Sequence, residues 1–309
     1  RDFRAIVTAD VKKWDYIMVV HKEAGPVLAQ VTEISRETSE IYADCVLIGY
    51  RNERNFLRLP KTPLEPGAEI FSAGDELIEK SLGLTKNGLY LGLLEGKPSL
   101  KLFLDAEKIL TKHIAILAKS GAGKSYAVGV LLEELADKGY PILIIDPHGE
   151  YSTIKFENKH PDDVKYFPMY SIKAKSYASK VKEYAVNTNI NPDIIQLKLP
   201  IPATPAELIE AMPVKPSPSQ QALLYSAFNE LRDAKARFDF DDIISYVNFS
   251  ESNAKWGLIS GVETLYKTGL FSVQPTNISE LVRPGQITII NLPGASPELQ
   301  ETEVASFAM

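Results

Sequence analysis

Eight consecutive residues constrain this chain more than any others: Ala118-Lys119-Ser120-Gly121-Ala122-Gly123-Lys124-Ser125. They follow a short apolar run from His113 to Leu117 and precede Ser125 to Lys138, where Val128, Leu131, Leu132 and Leu135 recur at helical spacing before Gly139. This pattern predicts a strand, a glycine-rich turn and a helix, the context in which a phosphate-loop sequence has a mechanism. Gly121 and Gly123 let the backbone curl so that successive N–H groups converge on phosphate oxygens, helped by the positive end of the helix. The Lys124 ammonium would reach the β- and γ-phosphates and the Ser125 hydroxyl would help to hold Mg²⁺, so ATP with Mg²⁺ is the expected ligand. Nucleotide contacts are expected from Ser120, Gly121, Ala122, Gly123, Lys124, Ser125 and Tyr126. Ala118 stands where the usual pattern has glycine, a departure that a negative φ tolerates. A dinucleotide-binding turn is the competing reading, but the GxGxxG spacing it needs is lacking.

A second strand, Pro141 to Ile145, leads into Asp146-Pro147-His148-Gly149-Glu150-Tyr151. A strand, a helix and a parallel strand within about 30 residues form a βαβ unit, and ligands lie outside the carboxyl ends of such strands. Asp146 could therefore orient Mg²⁺ waters, and Glu150 could polarise an attacking water, with His148 the weaker candidate. The alternative is that Asp146-Pro147 simply makes a turn and Glu150 caps nearby backbone. A third apolar strand, Ile287 to Ile290, ends in Asn291, which lacks the carboxylate that a magnesium site favours. Glu150 is thus the candidate catalytic acid beside Lys124, unless that acid lies further on.

The stretch before the phosphate loop has a different pattern. Tyr16 to Val20, Val27 to Ile34, Cys45 to Tyr50, Phe56 to Leu59, Leu89 to Leu94 and Leu100 to Phe103 read as short strands between Gly, Pro and Asn turns. One helix, Asp75 to Leu82, interrupts them. The expected fold is α/β: a small N-terminal β-barrel over 1–105, then a phosphate-loop core over 106–309 with a helical insertion at about 155–270. Within the insertion, Thr204, Ser219 and Asn253 are expected helix caps. A last helix is expected from Ser296 to Met309, where the sequence stops.

Composition excludes several classes. One cysteine, Cys45, and four scattered histidines leave no thiolate or imidazole cage for structural zinc. No run of ~18 apolar residues and no signal-peptide pattern occur, so a cytoplasmic protein without a membrane partner is expected. A formal charge of −6 argues against coating a polyanion through bulk charge. Any polyanion contact would have to be local. Between 153 and 182, seven lysines face three acids, interleaved with Tyr166, Phe167, Tyr170 and Tyr177. Lys173, Lys175 and Lys180 are the candidate backbone contacts, against the alternative of a solvated insert.

Together the N-terminal barrel pattern, AKSGAGKSYAVGVLLEEL, LIIDPHGEY and PGQITIINLPG resemble the archaeal HerA hexameric DNA translocases, relatives of the FtsK and VirB4 motors. The resemblance implies a RecA-like core, a hexameric ring around duplex DNA, ATP hydrolysis, and work with a NurA-type nuclease in resecting ends during double-strand break repair. It carries over to Gly121, Gly123, Lys124 and Ser125, and with less weight to Asp146 and Glu150. It also implies that Lys112 touches nucleotide across a subunit boundary. The family's later acid, arginine finger and C-terminal brace have no counterpart before Met309, so the sequence is expected to be part of a longer protein. A nucleotide-gated assembly module without hydrolysis and a conjugation-type VirB4 motor are the rival readings.

Overall fold

Alternating polar and apolar residues in the first seventy positions build an antiparallel sheet. The structure, a computed structural model, describes residues 1–37, 40–185, 193–212, 214–235 and 237–292. It divides into two compact units, one of Arg1–Glu134 with Lys165–Ile172, the other of Leu135–Val164 with the chain from Lys173 onward.

In the first unit, β1 (Asp2–Ile6), β2 (Tyr16–His21), β3 (Gly25–Glu37), β4 (Glu40–Arg51), β5 (Leu57–Arg58) and β6 (Ile70–Ser72) form one sheet. Its path is β1-β4-β3-β2-β6, with β5 on β4. Register shifts at Leu28/Ala29 and Val31/Glu33 interrupt the β3–β4 ladder, as bulges do where a long strand must bend. Phe3 from β1 and Ile70 from β6 pack on the same cluster of Ile17, Val19, Ala29, Val31, Ala43 and Cys45. Side chains from both ends of the path meet there, so the sheet curls over one face. Among the described residues no ladder joins β1 to β6, so the curl stops short of the hydrogen-bonded closure of a barrel. Burial, with the Asp44 carboxylate adding to it, pushes the Cys45 thiol up to about 11, as befits a core residue.

The opposite face carries Tyr16, Leu28, Ala73, Ile78 and Leu100. These come from the sheet, from α1 (Asp75–Leu82), and from the hairpin β7 (Leu89–Leu94) and β8 (Lys97–Leu104). Next come α2 (Ala106–Leu110), capped by Asp105, and α3 (Lys124–Asp137), ended by Gly139 at φ 79°. The run from His113 to Leu117, expected as the first strand of the parallel sheet, is not a strand here, and Leu117 is 91% exposed. An apolar run supplies the side chains for a strand but not the partner edge that makes one.

The second unit is built on β9 (Ile142–Asp146). After it come α4 (Pro161–Val164) and α5 (Phe167–Tyr170), the latter within the first unit, then β10 (Val181–Ala185), β11 (Ile195–Gln196) and β12 (Leu199–Pro200). Next are α6 (Pro205–Ala211), α7 (Pro218–Ala234), α8 (Phe240–Asn248), α9 (Lys255–Lys267), β13 (Phe271–Ser272), α10 (Ile278–Leu281) and β14 (Ile287–Asn291). A parallel sheet runs β11-β10-β14-β9, pairing Ile287 with Ile142 and Asn291 with Asp146. Ile287 to Ile290 are all buried, the continuous apolar run of a strand covered on both faces. β10 lies inside the stretch expected to be mostly helical. Its Lys182 and Glu183 mask the apolar run, and pairing with β14 makes it a strand.

α6 to α9 enclose a separate core that includes Leu208, Leu224, Phe228, Ile243, Leu258 and Val262. Thr204 caps α6 as expected. α7 is capped by Ser217 rather than Ser219, because Pro218 takes the first helical position and Gln220 closes a capping box. α9 starts without a side-chain cap, so Asn253 does not serve, while the unanticipated α8 has a full Asp239–Asp242 capping box. The helix expected from Ser296 to Met309 lies outside the described residues.

Candidate nucleotide-binding site

The phosphate-loop sequence turns on two left-handed glycines, Gly121 at φ 76° and Gly123 at φ 87°. A Cβ at either would meet nothing within 4 Å, so these glycines are required by backbone conformation and not by lack of space. Ala122 N–H donates to Lys119 O at 3.1 Å, and Ala127 N–H to Gly123 O at 2.9 Å, which starts α3. Ser120 to Lys124 are exposed, Ser125 is half-buried and Tyr126 exposed. The Lys124 ammonium and Ser125 hydroxyl thus sit in the first turn of a 14-residue helix, at the positive end of its dipole. Lys112 is exposed just after α2.

The second group of expected residues follows β9, in the other unit. Asp146 is only 1% exposed. Its Oδ1 accepts from His148 N–H at 3.3 Å and Gly149 N–H at 2.9 Å, and its Oδ2 accepts from Tyr151 N–H at 2.9 Å. The carboxylate therefore organises the turn that carries Glu150. Gly149 at φ 71° lets the chain wrap around it. His148 and Glu150 are exposed.

The structure adds neighbours whose contacts the sequence did not mark. Asn291 pairs with Asp146 across the sheet, and its Nδ2 donates to Ser152 Oγ at 3.3 Å. Its Oδ1 is buried without a hydrogen-bond partner among the described residues. Lys155 and Glu183 form an ion pair at 3.0 Å, with the Glu183 side chain 5% exposed. Their signal in sequence was slight: a single acid in an otherwise strand-like pentapeptide, Val181-Lys182-Glu183-Tyr184-Ala185.

Two of the three candidate DNA lysines are engaged within the protein. Lys180 Nζ donates to Ala136 O at 2.7 Å, and Lys175 pairs with Asp137, which also accepts from Tyr177 OH at 3.1 Å. Both cations thus sit at the carboxyl end of α3, where the helix dipole favours positive charge. Lys173 is exposed and has no ion pair or hydrogen bond among the described residues.

The chain is therefore a mixed α/β protein with parallel and antiparallel sheets and a phosphate-loop sequence at the start of a helix. It belongs to the HerA/FtsK-type ATPase family: the family profile described as "Helicase HerA, central domain" matches residues 89–309. It is 30% identical over 198 residues to a probable helicase of Methanocaldococcus jannaschii, covering 64% of this chain and 33% of that protein. A probable DNA double-strand break repair helicase HerA of the same organism is 29% identical over 144 residues, 47% of this chain and 28% of that one. The DNA double-strand break repair helicase HerA of Pyrococcus furiosus is 32% identical over 120 residues, 38% of this chain and 21% of that protein. The chain thus spans a third or less of the length of each of these relatives. A solved VirB4 structure from Thermoanaerobacter pseudethanolicus aligns with a TM-score of 0.42 at 17% identity, over 72% of this chain and 63% of that one. Among the described residues no helix is long and apolar enough to cross a membrane.

Proposed function

We propose that this chain carries the nucleotide-binding part of an ATP-driven motor that moves along duplex DNA. The observation that carries the reading is the loop from Ser120 to Lys124, left-handed at both glycines and opening α3, in a chain of this family. Phosphate fits it: Ser120 to Lys124 are exposed, and the side chains at the helix start are one cation and one hydroxyl. Lys124 holds and stabilises charge on the terminal phosphates, while Ser120 to Tyr126 supply the cradle. Mg²⁺, when bound, neutralises charge shared between phosphate groups, and Ser125 is the residue placed to hold it. Asp146, with three amide bonds already, fits a contact through water better than direct ligation. Glu150 is exposed on the loop that Asp146 organises and orients water for attack.

Several parts of the reading rest on the relatives. The names of two of them support action on DNA in double-strand break repair. The RecA-like core, a small N-terminal barrel left open between β1 and β6, a hexameric ring, a cytoplasmic setting and a NurA-type nuclease partner complete the proposal. Lys173 is the lysine best placed to meet a DNA backbone, since Lys175 and Lys180 hold α3. A second reading, nucleotide-gated assembly without hydrolysis, is favoured by one observation: β14 ends in Asn291 beside Asp146, with no carboxylate of its own. ATP turnover by the full-length protein, with and without blunt duplex DNA, separates the two. The motor reading expects DNA-stimulated turnover that Lys124→Ala abolishes. Nucleotide binding without turnover would favour the assembly module, and turnover unchanged in Lys124→Ala would rule out the site.

A further inference from the structure

The loop after β9 is fastened to three adjacent strands. Asp146 of β9 accepts from the amides of Gly149 and Tyr151, the residues on either side of Glu150. Asn291 of β14 donates to Ser152 Oγ at 3.3 Å. Lys155 reaches Glu183 of β10, Nζ lying 3.0 Å from Oε1 but off the hydrogen-bonding direction, so the contact is Coulombic. Two backbone-directed bonds close the same seam: Tyr177 N–H to Ile154 O at 3.3 Å and Ser176 Oγ to Lys155 O at 2.7 Å.

A buried carboxylate paired with lysine is a poor way to gain stability, because desolvation offsets most of the attraction. Apolar side chains would hold a surface loop down at lower cost, though with less directional restraint. Here the polar contacts fall at Asp146, Ser152 and Lys155, on both sides of Glu150, and they engage β9, β14 and β10 in turn. Glu150 itself is exposed between them.

We propose that Lys155, Glu183 and Asn291 are positioning residues for Glu150, fixing the Pro147–Lys155 loop across three strands so that the Glu150 carboxylate meets water in one orientation. This rests on the reading that Glu150 acts in ATP hydrolysis. The test uses the full-length protein with Glu183→Gln, Lys155→Met, Lys155→Arg, Asn291→Ala, the Lys155→Met/Glu183→Gln double variant and Glu150→Gln. Turnover is measured against ATP concentration, together with hydrogen exchange at residues 148–151 and the melting temperature. We expect kcat to fall about tenfold or more in Glu183→Gln, Lys155→Met and Asn291→Ala, with KM for ATP changed less than about twofold. The double variant should lose no more than the worse single, and Lys155→Arg, which keeps the charge, should restore kcat to within about threefold of the parent. The Gly149 and Tyr151 amides should exchange faster in each defective variant. Lower melting temperatures with unchanged kcat, or additive losses in the double variant, would overturn the proposal. Should Glu183→Gln fail to fold, the Lys155→Met and Lys155→Arg pair decides the question. Loss of turnover in Glu150→Gln, with all positioning variants at the parent kcat, removes the proposal alone; parent-rate turnover in Glu150→Gln removes the underlying reading as well.

Discussion

The phosphate loop and the loop after β9 are built on opposite plans. From Ser120 to Lys124 the chain is exposed, and its shape comes from two left-handed glycines with open space beside them. From Pro147 to Lys155 the shape comes from a buried carboxylate, an amide side chain and an ion pair. The first loop takes its shape from glycine conformation, whereas in the second the conspicuous acid serves its own backbone. An acid at the end of a parallel strand is therefore not a metal ligand by position alone. The turn that follows decides where its oxygens point.

Stability measurements would break this comparison first. Asp146→Ala removes the acceptor for three amides and should cost about 3 kcal/mol in urea unfolding. Gly123→Ala, which forces a Cβ into a left-handed conformation with free space around it, should cost about 1 kcal/mol. Equal costs would mean that the loops are not built differently. Hydrogen exchange sharpens the same contrast: the Gly149 and Tyr151 amides should exchange about tenfold or more slowly compared with those of Gly121 and Gly123.

A smaller effect is expected at the lysines. Lys180→Met removes a cation from the carboxyl end of α3 and should lower stability by about 1 kcal/mol. Lys173→Met should leave stability unchanged and reduce the salt dependence of DNA binding by the full-length protein. The reverse pattern would return Lys180 to the DNA face. The smallest effect lies away from both loops. The Lys235 ammonium, 2.5 Å away, together with the Asp239 amide, holds the Asp242 carboxyl below its usual range. A depressed folded value means stability that is present above the unfolded value, near 3.9, and is lost as pH falls through the folded one. The stability gap between the parent and Asp242→Asn should therefore close below about pH 4.

What was legible in the sequence follows from how each feature is encoded. The phosphate loop, α1, α3, β9 and β14 are local signals: glycines at fixed spacing, a helical apolar stripe, a continuous apolar run. Each lies where the residues indicated. β1, β6 and β10 become strands by pairing with β4, β2 and β14, and nothing in five or three residues alone specifies those partners. The converse failure is His113 to Leu117, which has strand composition and no partner edge among the described residues. At the site, Asp146 was visible as an important acid, but its attachment to three amides depends on the path of the next five residues. Glu183 and Lys155 are 28 residues apart and meet only because β10 enters the sheet beside β14.

Hydrogen exchange of the full-length protein with and without ATP and Mg²⁺, for the parent and for Lys124→Ala, tests the nucleotide site most directly. ATP should slow exchange across 120–126 in the parent and much less in Lys124→Ala. Protection confined to some other segment, or equal protection of 120–126 in Lys124→Ala, would contradict the assignment.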